Sequence, residues 1–97
     1  MLRIAVCDDD LKFTGDFETL VLQESRNMGI RVETDVFSDG DTLVKSILSG
    51  ERYNLIFLDI EMDDTNGFDA AEELMSGSAK PLIVFVTKST EYTIRGY

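Results

Sequence analysis

Three apolar runs of this 97-residue chain end abruptly on oxygen-bearing side chains. Asn54-Leu55-Ile56-Phe57-Leu58 runs into Asp59, Leu2-Arg3-Ile4-Ala5-Val6-Cys7 runs into Asp8-Asp9-Asp10, and Ile83-Val84-Phe85-Val86 runs into Thr87. An acid that closes a buried strand carries a desolvation cost that a metal or hydrogen bonds must offset, so chemistry is expected first at Asp59. Two carboxylates from one loop and a third from a neighbouring strand are hard oxygen ligands of the kind Mg²⁺ takes while keeping several waters. Asp59 then serves as both ligand and nucleophile. A carboxylate that attacks a phosphoryl group gives an aspartyl phosphate, and the cation shields the like charges of attacker and substrate. Thr87 offers its hydroxyl to a phosphoryl oxygen, while the loop after Asp59 offers the carbonyl of Glu61 to the metal and backbone N–H groups to the phosphate.

These residues meet only if the runs lie side by side, and the apolar periodicity predicts that they do. From Leu11 to Met28, the residues Phe13, Phe17, Leu20, Val21 and Met28 fall at helical steps, ending at Gly29. Ile30 to Phe37 alternates as a strand. Ser38-Asp39 offers an N-cap to a second helix striped by Leu43, Val44, Ile47 and Leu48 and stopped by Gly50. The strand ending at Asp59 follows, then a polar loop through Asn66-Gly67. Phe68, Ala71, Leu74 and Met75 mark a third helix closing near Gly77, Pro81 starts the fourth strand, and Ser89 to Tyr97 opens a fourth helix. Strand and helix thus alternate, which predicts right-handed crossovers and a parallel sheet covered on both faces. The expected architecture is α/β, three-layer and flavodoxin-like, with strand order 2-1-3-4. The runs Ile56 to Leu58 and Leu82 to Val86 fit strands buried on both faces, and Arg31 to Phe37 fits an edge. Ligands of such sheets bind at the C-terminal strand ends, where Asp8, Asp9, Asp59 and Thr87 gather.

Composition sets the bounds. The length allows one domain, spanning 1–97; with 43% hydrophobic and 29% charged residues it reads as a soluble globular protein. A net charge of -10 argues against this segment holding a nucleic-acid backbone, which requires cations against phosphates. Most of the acidic surplus is expected to be solvated helix surface. Cys7 is the single cysteine, so no intrachain disulfide can form, and it reads as a small buried hydrophobe. With no signal sequence and no apolar stretch near the roughly 18 residues of a membrane span, a cytoplasmic protein with no membrane contact is expected. Asp10 is expected to cap the first helix rather than bind metal. The Phe and Met stripes are expected in the core, and Tyr92 and Tyr97 suit helix packing or a signalling surface.

In this arrangement the sequence resembles the receiver domain of two-component response regulators, along its whole length. Asp8-Asp9 is similar to the family's acidic metal-binding pair, Asp59 to its phosphoacceptor, and Thr87 to the hydroxyl residue that ends its fourth strand. The loop Asp59-Ile60-Glu61-Met62 with Asn66-Gly67 supports the resemblance. The wording of Cys7-Asp8-Asp9-Asp10, and of Phe85-Val86-Thr87 leading to Glu91-Tyr92, most resembles receivers joined to LytTR-type DNA-binding output domains. Two departures stand out. Asp63 and Asp64 follow Met62 where the family usually has proline, and the family's fifth strand with its lysine, and fifth helix, have no counterpart before Tyr97. Lys88 directly follows Thr87 and does not occupy that lysine's position. The chain is therefore expected to be a receiver incomplete at its C-terminus, with the fourth strand left as an edge open to pairing.

The resemblance implies a phosphorylatable switch rather than a turnover enzyme. A sensor histidine kinase or small phosphodonor would phosphorylate Asp59, with Mg²⁺ held by Asp8, Asp9, Asp59 and the Glu61 carbonyl, and the phosphate held by Thr87 and the Met62 backbone. It also implies a covalently linked DNA-binding output domain in the full-length protein, with a homodimer as a further possibility. Two rivals remain open from the residues. A small metal-dependent phosphatase like the haloacid dehalogenases would use Asp59 as nucleophile and Glu61 as general acid, although no cap fits so short a chain. A receiver that works only by docking would bind its partner equally well with Asp59→Asn.

Overall fold

A computed structural model describes residues 1–59, 72–76 and 81–86 of the chain. The described elements run β1 (Leu2–Cys7), α1 (Leu11–Asn27), β2 (Val32–Phe37), α2 (Gly40–Leu48), β3 (Leu55–Asp59) and β4 (Leu82–Val86). Residues 72–75 are also helical. The four strands form one sheet in the order β2-β1-β3-β4, and every pairing is parallel. This is the expected flavodoxin-like order. β2 lies at the edge, as its polar alternation required.

Register assigns each strand residue to a face. Ala5 lies opposite Ile56, and Cys7 opposite Leu58; Ile56 and Leu58 in turn lie opposite Ile83 and Phe85. This row packs with Leu43 and Val44 of α2, Tyr53 and Leu74 into the main core. Because successive strand side chains point to opposite faces, Ile4, Val6 and Phe57 face the other way. There the Phe57 ring meets Phe17 of α1 edge-on at 4.8 Å, and Phe17 stacks with Phe13 at 5.7 Å. The sheet therefore carries α1 on one face and α2 with residues 72–75 on the other.

Helix boundaries follow from caps. Asp10 and Asp39, both in extended backbone, accept hydrogen bonds from the N–H groups of Phe13 and Thr42 and so start α1 and α2. Both helices end in the same motif. Gly29 and Gly50 adopt φ of 73° and 116°, which favour glycine. Each donates its N–H three residues back, to Arg26 and Ile47, while Ile30 and Glu51 reach back five residues, to Ser25 and Ser46.

Several expected core positions prove to be outside it. Leu20 and Met28 on α1, Leu48 on α2 and Met75 are exposed, Leu48 at 76%. Leu20 and Leu48 lie at the margins of their apolar stripes and Met28 is the C-cap of α1, and a helix lying on a flat sheet buries only the residues nearest that sheet. β4 is buried on one face rather than two, since Ile83 and Phe85 join the main core while Leu82 is 66% exposed and Val84 is also exposed. The described helix on that other face, α1, packs over β1 and β2. β2 starts at Val32 rather than Ile30, and β4 at Leu82, directly after Pro81.

The N-terminal end of the sheet is tied by Arg3. Its guanidinium bonds Glu51 at 2.6 Å and Asp35 at 3.0 Å, lies 3.3 Å from Glu33, and stacks over the Tyr53 ring. The Tyr53 hydroxyl donates to the same Asp35 oxygen at 2.6 Å. This cluster lies at the opposite end of the strands from the acids of the apolar run-ends.

Candidate metal and phosphoacceptor site

The site is built by strand register. β1 and β3 pair as far as Cys7 with Leu58, so the next residues, Asp8 and Asp59, emerge together at the C-terminal end of the sheet. Asp59 shares strand parity with Phe57, and Asp8 continues the parity of Ile4 and Val6; both belong to the α1 face. Carboxylate oxygens of Asp8, Asp9 and Asp59 all lie within 4.8 Å of one another. Asp8 is 2% exposed and Asp59 4% exposed, while Asp9 is the most open of the three.

Hydrogen bonds set the entrance to this cluster. The Asp8 N–H donates to the Phe37 carbonyl at 3.0 Å, locking the end of β1 to β2. Asp8 Oδ1 accepts the N–H of Asp10 at 2.9 Å, and Asp10 Oδ1 in turn accepts the N–H of Phe13 at 3.1 Å. Asp10 is the α1 cap, as expected, and is not among the clustered acids.

Beneath the acids lies Cys7, buried at the end of β1. Burial pushes its thiol up to about 12, and the negative charges of Asp39, Asp8, Asp59 and Asp9 push the same way. Asp39 was expected only as a helix cap, and it fills that role, with Oδ1 accepting from both the N–H and the hydroxyl of Thr42 at 2.7 Å. Those hydrogen bonds hold its carboxyl below the usual range. It also adds a further anion at the acidic end of the sheet. The sequence carried a signal for this: Asp39 follows the C-terminal end of β2, the strand beside β1.

The donor set suits a hard divalent cation. Three carboxylates brought together with two of them nearly sealed from water repel one another at close range, and a small cation with oxygen preference relieves that repulsion. Among the sequence-predicted site residues, Asp8, Asp9 and Asp59 are thus brought together. Thr87, Glu61 and Met62 lie outside the described residues, as do Lys88, Asn66-Gly67, Tyr92 and Tyr97. No helix among the described residues is long and apolar enough to cross a membrane.

Comparison with known proteins agrees with this arrangement. The family model of the response regulator receiver domain matches residues 4–96. The sensory transduction protein LytT of Bacillus cereus is 31% identical over 98 residues, covering 100% of this chain and 37% of that protein. LytT of Bacillus subtilis is 27% identical over 97 residues, covering 100% of this chain and 38% of its own length. The chain therefore spans less than two fifths of these relatives. Among solved structures, the response regulator TrrA of Thermotoga maritima, crystallised with Mg²⁺ and BeF, superposes with a TM-score of 0.70 at 30% identity; the match covers 96% of this chain and 75% of that one.

Proposed function

This chain belongs to the family of response regulator receiver domains, and we propose on that footing that Asp59 accepts a phosphoryl group from a sensor histidine kinase. The observation that carries this reading is the gathering of the Asp8, Asp9 and Asp59 carboxylates within 4.8 Å where the strands end. An Asp59 oxygen attacks the phosphorus of a phosphohistidine and forms the new P–O bond. The P–N bond breaks, its electron pair stays on the imidazole, and that ring takes a proton from water. Asp8, Asp9 and Asp59, with the Glu61 backbone carbonyl, are the residues that hold Mg²⁺. When bound, Mg²⁺ supplies the positive charge that offsets repulsion between the carboxylate and the phosphoryl oxygens. The Thr87 hydroxyl and the Met62 backbone N–H donate to those oxygens. The presence of Mg²⁺ in the TrrA structure supports the choice of metal.

The chain works as a switch, gaining one phosphoryl group and losing it to water, rather than as a turnover enzyme. Receiver membership supports a histidine kinase as partner. The greater length of the LytT relatives supports an output domain linked to this segment in the full-length protein, which we take to bind DNA. At a net charge of -10 the receiver itself leaves DNA contact to that domain. We assign the protein to the cytoplasm, where its phosphodonor is made. The test is stoichiometry and chemistry of labelling: one acid-stable, base-labile phosphoryl group per chain is expected. Multiple turnovers of a phosphate ester by the purified protein would instead identify a phosphatase.

A further inference from the structure

Asp10 belongs to neither the acidic cluster nor the core, yet it touches both the site and the helix. Its N–H donates to Asp8 Oδ1 at 2.9 Å, its Oδ1 accepts from the Phe13 N–H at 3.1 Å, and its carbonyl accepts from the Thr14 N–H at 3.0 Å. The backbone at Asp10 is extended, with φ -91° and ψ 101°, the conformation in which a cap side chain folds over the first turn. One residue therefore bonds an oxygen of a buried acid and starts a 17-residue helix.

We infer that Asp10 is a positioning residue for the metal site: its side chain pins the first turn of α1, and that turn holds the Asp10 N–H against Asp8, so that the cation meets an Asp8 already oriented. This rests on the reading of Asp8, Asp9 and Asp59 as the Mg²⁺ site. The role needs a side-chain acceptor and not a negative charge. A cap rank-orders Asn beside Asp and both far above Ala, whereas a purely electrostatic contributor loses as much in Asn as in Ala; Asp10 is not among the clustered acids. Orienting a ligand in advance removes the cost of ordering it on binding, and loss of such partners weakens metal affinity measurably.

The experiment compares wild type, Asp10→Asn and Asp10→Ala by Mg²⁺ calorimetry, alongside amide hydrogen exchange at Asp10, Phe13 and Thr14. Asp10→Ala is expected to weaken Mg²⁺ about tenfold, the lower end for loss of a ligand's orienting partner, and to speed exchange at all three amides. Asp10→Asn is expected to stay within about twofold of wild type in affinity, since Asn caps as well as Asp. Equal losses in Asn and Ala would overturn the inference and make Asp10 a contributor of charge. Unchanged affinity in Asp10→Ala, with the first turn still protected, would overturn it too. Wild type that takes up no Mg²⁺ at all would sink the metal reading itself, a result distinct from either.

Discussion

Two nearly sealed carboxylates and a third beside them repel each other, and at the effective dielectric of partly buried sites each close pair of charges is worth on the order of 3–4 kcal/mol. Asp59→Asn removes one charge from that group. In chelator the variant is expected to melt higher than wild type, and added Mg²⁺ is expected to raise the melting temperature of wild type but not of the variant; a lower melting point in chelator would contradict the repulsion. Cys7 gives a second readout. Its folded value near 12 lies above the 9.0 of an ordinary thiol, so the folded chain holds the proton more tightly. The associated stability is fully present below pH 9 and is lost as pH rises toward 12, because there the unfolded chain ionises first. Denaturant titrations across that window are expected to show a falling stability that Cys7→Ala flattens. At this scale the sequence revealed Asp8, Asp9 and Asp59 because polar residues interrupt apolar runs there. Asp39 was expected only as a helix cap, although its place after β2, the strand expected beside β1, carried the signal that it lies at the same end.

Elements were legible by their punctuation. Asp10 and Asp39 start helices by accepting N–H groups, Gly29 and Gly50 end them at positive φ, and all four are visible as residue types. Which apolar residues each helix buries was less visible. Leu20 and Leu48 continue their stripes in sequence but emerge to solvent, because periodicity fixes the angle of a stripe and not its width against the sheet, and Met28 emerges where α1 ends. The α2 cap is testable at this scale. Asp39→Ala is expected to cost about 1 kcal/mol in chemical unfolding at neutral pH. Since its hydrogen bonds to Thr42 depress the Asp39 carboxyl, the part of that stability that favours the charged form is present above the ordinary carboxylate range and lost as pH falls through the lowered value. The gap between wild type and variant should therefore narrow in acid; a gap that does not change with pH would mean that Asp39 caps through its acceptor oxygen alone.

For the molecule as a whole, alternation of strands and helices with right-handed crossovers left few topologies, which is why the order β2-β1-β3-β4 could be reached from the chain alone. The exposure of Leu82 and Val84 could not be, because an apolar run reads the same whether a helix covers one face or both. The core that holds the acids in register rests on fully buried residues such as Leu58, one position before Asp59. Leu58→Ala is expected to cost about 2–5 kcal/mol, a large share of a small domain's stability. A loss under about 1 kcal/mol in equilibrium unfolding would mean that this layer does not hold the sheet together.

Asp59 is proposed as a phosphoacceptor served by a divalent cation. Intact-mass measurement after incubation with acetyl phosphate tests it most directly, with Mg²⁺ against chelator and wild type against Asp59→Asn. One added phosphoryl group is expected on wild type in Mg²⁺, and none in chelator or on the variant. An adduct of the same stoichiometry on Asp59→Asn, or one indifferent to the chelator, would contradict it.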